Sequence, residues 1–209
     1  MVTFTAEVSP YEPAIFADVR GGLGWQIEQD RCAVLVHDLL PYYVSVLAAE
    51  TRAAVVDRCQ SVVDWAFVND VPVIASAPRP ATTTRQRGLG GLQWGRGPDA
   101  ADVKQSCLRG MDDPAIPWVH KRSLSAFYAT DLEVELRRGG RDQLVVCGVF
   151  ASQGIVATSF DALARDIQFF VVSDAVADYN ATLHELALTQ VARSTGHAIP
   201  ACDFTTLTV

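Results

Sequence analysis

Val145-Val146-Cys147-Gly148-Val149-Phe150-Ala151-Ser152-Gln153-Gly154-Ile155-Val156-Ala157-Thr158 decides the fold, because a buried strand runs into a helix within these fourteen residues. The apolar run that opens it has the near-continuous character of a strand covered on both faces. Gly154 stands at the strand-to-helix junction, where a nucleophile would be expected. Working outward, similar runs mark strands at Cys32 to His37, Val71 to Ala77, Ile116 to His120, Gln143 to Val149 and Ile167 to Val172. Helical patterns separate them. Thr51 to Val68 carries Ala54, Val55, Cys59, Val62, Val63 and Phe67 at three- and four-residue spacings, an amphipathic helix with one face on the sheet. Thr130-Asp131-Leu132-Glu133 fits a capping box that opens a helix ended by Gly139-Gly140. Asn180 is an N-cap for a helix through Ala192, with Gly196 as its stop. Strands alternating with helices imply an α/β protein, a mainly parallel sheet covered by helices on both faces.

Composition bounds the reading. With 209 residues, 49% hydrophobic and 20% charged, the chain supports one sizeable core, so a single domain over residues 1–209 is expected. The net charge of −7 is spread without basic or acidic runs, which argues against a nucleic-acid partner. Met1 to Glu7 shows no basic segment followed by an apolar run, and no stretch approaches the roughly 20 apolar residues that cross a bilayer. No membrane partner and a cytoplasmic location follow as expectations. The five cysteines, Cys32, Cys59, Cys107, Cys147 and Cys202, form no Cys-x-x-Cys pair and read as reduced thiols. Cys147 lies near the turn, but in a strand this apolar it reads as a small hydrophobe. The histidines at 37, 120, 184 and 197 form no His-x-x-x-His pair, so no metal site is expected. His37 and His120 precede Asp38 and Lys121 on strands, which places their side chains on the opposite face.

Pro78 to Pro114 is the least regular region, and a loop this long in a compact domain is more often functional than not. It places Arg85, Arg87, Trp94 and Arg96 toward the carboxyl ends of the strands, where ligands bind in open α/β sheets. Gly88-Leu89-Gly90-Gly91 lacks the Gly-Lys-Ser/Thr ending of a phosphate loop.

From about Pro10 to Gly196 the chain resembles the isochorismatase-like hydrolases. The resemblance rests on the turn quoted above together with Val34-Leu35-Val36-His37-Asp38, Trp118-Val119-His120-Lys121 and Ser125-Ala126-Phe127-Tyr128-Ala129-Thr130-Asp131-Leu132. Gly140-Arg141-Asp142-Gln143-Leu144 and the segment from Asp161 through Asp178 are closer to the isochorismatase branch than to the amidase branch. In most of that superfamily the position matching Gly154 is a nucleophilic cysteine, and in the isochorismatase branch it is glycine. The implied fold is the Rossmann-like, three-layer isochorismatase type, often with a cis peptide at the active-site turn. The implied reaction is hydrolysis of an enolpyruvyl ether, of isochorismate or 2-amino-2-deoxyisochorismate, to pyruvate and a cyclic acid. It belongs to secondary metabolism, proceeds without cofactor or covalent intermediate, and takes place in a homodimer or higher homo-oligomer.

The resemblance assigns Asp38, Lys121 and Gly154 as the catalytic positions. Asp38 is the acid that protonates the vinyl carbon. Burial favours its protonated form and a nearby Lys121 ammonium opposes it. Lys121 would bind a substrate carboxylate or the ether oxygen, and Gly154 would leave room for the enolpyruvyl group and offer a backbone N–H. Arg87, Trp94, Phe150, Pro78, Ser152 and Gln153 are the substrate-binding candidates. The bland alternatives are a turn-capping aspartate, a lysine reaching solvent, a solvated loop arginine and a packing tryptophan.

The chain also departs from the branch. It has Ser76-Ala77-Pro78-Arg79 for Thr-Ala-Gln-Pro, and Lys121-Arg122-Ser123-Leu124-Ser125-Ala126-Phe127 for Lys-Trp-Arg-Tyr-Ser-Ala-Phe. Phe150-Ala151-Ser152 stands for Tyr-Ala-His, and Asp38-Leu39-Leu40 for Asp-Met-Gln. Lost polar contacts of this kind shift substrate preference, by a factor of roughly 10⁴ where a site is built to hydrogen-bond a group. Two rivals therefore stand beside the ether hydrolase: a hydrolase with a less polar substrate, and a non-catalytic binding or assembly subunit.

Overall fold

The computed structural model describes residues 7–205; the expectation drawn from the first residues, Met1 to Ala6, lies outside them. Seven strands form one sheet: β1 Gly21–Gly22, β2 Cys32–His37, β3 Val73–Pro78, β4 Trp118–Lys121, β5 Gln143–Val149, β6 Gln168–Ala177 and β7 Gly196–Ile199. Their spatial order is β1-β7-β6-β5-β2-β3-β4. All neighbours are parallel except β1, which pairs antiparallel with β7. The helices are α1 Pro41–Val44, α2 Ala49–Val68, α3 Leu89–Trp94, α4 Leu132–Arg138, α5 Val156–Leu163, α6 Ala181–Ser194 and α7 Cys202–Thr205. A wide π-type turn, Ala151–Ile155, joins β5 to α5.

β2 and β5 fall at the expected bounds, since every residue of both is buried. Their alternate side chains feed two cores. Val34, Val36, Val145 and Cys147 pack with Val55, Cys59, Val62, Val63 and Ala66 of α2. Ala33, Leu35, Leu144 and Val146 pack with Leu132 and Leu136 of α4, Ala162 of α5 and Leu188 and Val191 of α6. Helices thus cover both faces.

Several expectations need correcting. On α2, Phe67 is exposed and Trp65 with Ala66 is buried instead, so the inward stripe shifts near the helix end. No capping box forms at α4: the N-cap is Asp131, while the Thr130 hydroxyl donates to the Ala126 carbonyl. The expected C-cap, Gly139, and the Asn180 cap on the Leu183 N–H are present. Gly196 begins β7 rather than ending α6. Among the described residues no helix is long and apolar enough to cross a membrane.

The strand order reverses between β5 and β2, and a crevice opens beyond the carboxyl ends of strands at such a switch point. Four chain segments leave the sheet there, after His37, Pro78, Lys121 and Val149.

Candidate active site

A cleft of about 1040 Å³ occupies that crevice, lined among others by Asp38, Pro78, Arg87, Trp94, Lys121, Phe150, Gln153 and Gly154. Asp38 follows β2 with φ of 52°, a left-handed conformation that aspartate tolerates better than most residues. It is almost fully buried, and Lys121, equally buried at the end of β4, places Nζ 2.7 Å from Asp38 Oδ2. Ser76 Oγ donates to Asp38 Oδ1 at 2.9 Å. Lys121 Nζ also donates to the carbonyls of Ser123 at 3.2 Å and Leu124 at 3.1 Å. An ammonium has three donors, so in this state none is left over. The expected contact of Lys121 with a ligand therefore requires exchange with one of these partners.

The junction around Gly154 differs most from expectation. A side-chain Cβ at this position would lie 2.4 Å from His37 Cε1 and 3.2 Å from the Leu124 carbonyl oxygen. The room left by the missing side chain is filled by the imidazole, not kept for a ligand. His37 Nδ1 lies 3.0 Å from the Val149 carbonyl, which can only accept, so Nδ1 carries the proton and Nε2 faces the Thr158 hydroxyl at 3.2 Å. The single Thr158 hydroxyl proton is shared between His37 Nε2 and the Gly154 carbonyl, 2.6 Å away, while its oxygen accepts the Ala126 N–H. Complete burial pushes His37 down to about 4, so the ring is neutral at pH 7. His37 was expected on the face away from Asp38. The left-handed turn breaks the strand alternation, and Nδ1 comes to 4.0 Å from Asp38 Oδ2. His120, by contrast, is exposed while Lys121 is buried.

The Val149-Phe150 peptide is cis. Phe150 stacks on Tyr179 at 4.4 Å between centroids and meets Tyr43 edge-on at 5.9 Å, forming one aromatic wall of the cleft. Arg87 is held by the Gly95 carbonyl at 3.0 Å and the Tyr43 hydroxyl at 3.4 Å. Arg85 and Arg96 are not in the lining, nor is Ser152. Ser152 is a correction: its N–H donates to Asp178 Oδ2 at 2.6 Å, and its hydroxyl also bonds that carboxylate, so it ties down the turn. Asp178 Oδ1 accepts the Tyr179 N–H, and the Asp178 N–H reaches the Tyr11 hydroxyl, itself 3.0 Å from His184 Nδ1. Burial raises the Asp178 pKa from its ordinary value, against the pull of these hydrogen bonds.

Ser76, Tyr43 and Tyr179 were not singled out from the sequence. Ser76 sat inside a quoted motif, and its partnership with Asp38 follows only from β2 pairing with β3 in register His37 to Ser76. Cys147 is fully buried and no part of the lining. Among the described residues no group of three or more histidine, cysteine or acidic side chains could hold a metal.

An open α/β sheet thus carries an acid–lysine pair beside its switch point, next to a junction glycine that offers no side-chain nucleophile. The Isochorismatase domain model matches residues 32–202, and the chain belongs to the isochorismatase family. It is 34% identical to the phenazine biosynthesis protein PhzD of Pseudomonas fluorescens over 189 residues, covering 90% of this chain and 91% of that one. It is 35% identical to a probable isochorismatase of Pseudomonas chlororaphis over 78% of this chain and 80% of the other. Identity to enterobactin synthase component B of Escherichia coli is 31%, over 84% of this chain but 62% of that longer protein. Among solved structures, a cysteine hydrolase from Pseudomonas syringae pv. phaseolicola 1448A shares the fold with a TM-score of 0.70 at 23% identity, covering 87% of this chain and 93% of that one.

Proposed function

We propose that the protein hydrolyses the enolpyruvyl ether of an isochorismate-type cyclic acid, isochorismate or 2-amino-2-deoxyisochorismate, in the biosynthesis of a secondary metabolite. The observation that carries this reading is the buried Asp38–Lys121 pair facing the cleft beside a glycine junction packed solid by His37. Asp38 protonates the terminal CH₂ carbon of the vinyl ether, leaving an oxocarbenium ion. Water adds to that cation and loses a proton, and the resulting hemiketal collapses to the ring alcohol and pyruvate. One water is consumed, and the proton spent by Asp38 is returned from the attacking water.

Asp38 must hold a proton to begin. An anionic substrate that draws Lys121 toward itself exchanges for Asp38 Oδ2 as a partner of Nζ and frees that oxygen to face the vinyl carbon. Ser76 fixes the other carboxyl oxygen and with it the direction of transfer. His37 is unsuited to the acid role, since both its nitrogens face protein partners and it is neutral.

The aromatic wall of Phe150, Tyr179 and Tyr43, with Pro78 opposite in the lining, supports a second reading in which a less polar cyclic acid is the preferred substrate. Pyruvate release, coupled to NADH oxidation by lactate dehydrogenase, tests both. The wild type should turn over isochorismate or its 2-amino analogue, and Asp38→Asn should lose about 10³-fold in kcat, within the usual range for general acid catalysis. Absence of pyruvate from either substrate refutes the ether hydrolase. Turnover unchanged in the variant refutes Asp38 as the acid.

A further inference from the structure

We propose that Arg79 and Arg122, at the ends of β3 and β4, form an anion subsite on the rim of the cleft that receives a second carboxylate of a cyclic dicarboxylate ligand. The inference rests on the proposed function for the location of the reacting end, and adds a recognition element at the other end.

The cleft lining contains four cations, Arg79, Arg87, Lys121 and Arg122, against the single carboxylate of Asp38, in a chain whose net charge is −7. Lys121 is matched by Asp38, and Arg87 is anchored on carbonyls and a hydroxyl. Among the described residues no acidic side chain or hydrogen-bond acceptor is paired with the guanidinium of Arg79 or of Arg122, and both residues are exposed. Their proximity is set by the sheet. Pro78 pairs with Lys121 in the β3–β4 register, and the Arg79 N–H continues the ladder to the Lys121 carbonyl at 2.8 Å. Both strands end on that pair, so Arg79 and Arg122 are the first residues beyond two adjoining strand ends.

Two guanidinium charges leaving adjoining strand ends repel one another. An anion between them converts that repulsion into two charge-assisted, planar contacts of the kind guanidinium forms with carboxylates. The pair lies one residue beyond Pro78 and Lys121, on the rim side of the cleft. It would thus hold an acid group outward of the atoms facing Asp38. These two arginines stand where the family resemblance expects proline and tryptophan, next to the proline that replaced the substrate-contacting amide. Recognition lost at position 78 is taken up by charge at positions 79 and 122.

Calorimetric titration of the full chain at low ionic strength with benzoate and benzene-1,3-dicarboxylate tests the subsite without requiring turnover. The wild type should bind the dicarboxylate about tenfold more tightly than benzoate, as one charge-assisted contact allows. In R79Q/R122Q that preference should fall to about twofold while the benzoate Kd stays put, and 0.5 M salt should erase it as well. A wild type without the preference, or a double variant that keeps it, overturns the proposal. The ether-hydrolase reading is judged separately by pyruvate release. If that assay succeeds, the same variant should raise KM about tenfold with kcat within about twofold.

Discussion

At the floor of the cleft the side chains of Asp38, Lys121 and His37 all face protein partners, whereas at its rim the guanidinium groups of Arg79 and Arg122 have none among the described residues. The floor hangs from the ends of buried strands and is packed so closely that a methyl group at Gly154 would strike His37. The rim is carried by the irregular segment after Pro78 and by the turn after Lys121, where side chains are exposed. Under the proposed function, chemistry and recognition fall to separate parts of the chain. A floor this satisfied is preorganised for one reaction, while a rim with unmatched charge can be retuned without disturbing the fold.

The largest test of this contrast is Lys121→Met. Removing one member of a buried ion pair leaves the other uncompensated, and a loss of about 3–5 kcal/mol is expected in urea unfolding, together with loss of turnover. A stability loss below about 1 kcal/mol would put Lys121 with the solvated charges of the rim.

Acid should separate the two regions next. His37 is held down to about 4 and His184 to about 3, chiefly by burial, from the ordinary value of 6.5. Below pH 6.5 the unfolded chain takes up protons that the folded chain refuses, so stability falls as pH drops toward 4. Each histidine contributes about 1.4 kcal/mol per pH unit in that window, roughly 3 kcal/mol for His37 by pH 4. Asp178, raised by burial, works in the opposite sense. His37→Gln should flatten the wild-type slope between pH 6 and 4.5, as read from urea midpoints; an unchanged slope would mean that the floor is already open to water.

The smallest expected effect belongs to the rim side. Arg87→Lys keeps the charge but loses the fork that spans the Gly95 carbonyl and the Tyr43 hydroxyl, so KM should rise about tenfold with little change in kcat. A fall in kcat matching the fall in kcat/KM would instead tie Arg87 to the chemical step.

How much of this could be read from residues alone follows the same division. β2 and β5 are legible because uninterrupted apolar runs have few alternatives to a doubly covered strand. β1 and β7 are two and four residues long and begin on glycine, so they carry too little pattern. β6 runs on through Ser173 and Asp174 to Ala177, beyond the apolar run that announced it, and there the buried Asp174 accepts the Ala201 N–H, a partner that only the fold supplies. At the site, strand-end positions such as Asp38 and Lys121 stand out in sequence. Contacts made across the sheet do not: Ser76 on Asp38, Tyr179 on Phe150 and His37 under Gly154 each join segments brought together only by topology.

The imidazole under the junction glycine bears on how this branch and the cysteine branch of the superfamily could interconvert. A thiol cannot simply be added at position 154, because its Cβ would have to occupy space already held by the ring. Shrinking residue 37 first would leave a hole below the turn and strip Thr158 and the Val149 carbonyl of a partner. Positions 154 and 37 are thus coupled by volume, and a side chain at one calls for a smaller side chain at the other.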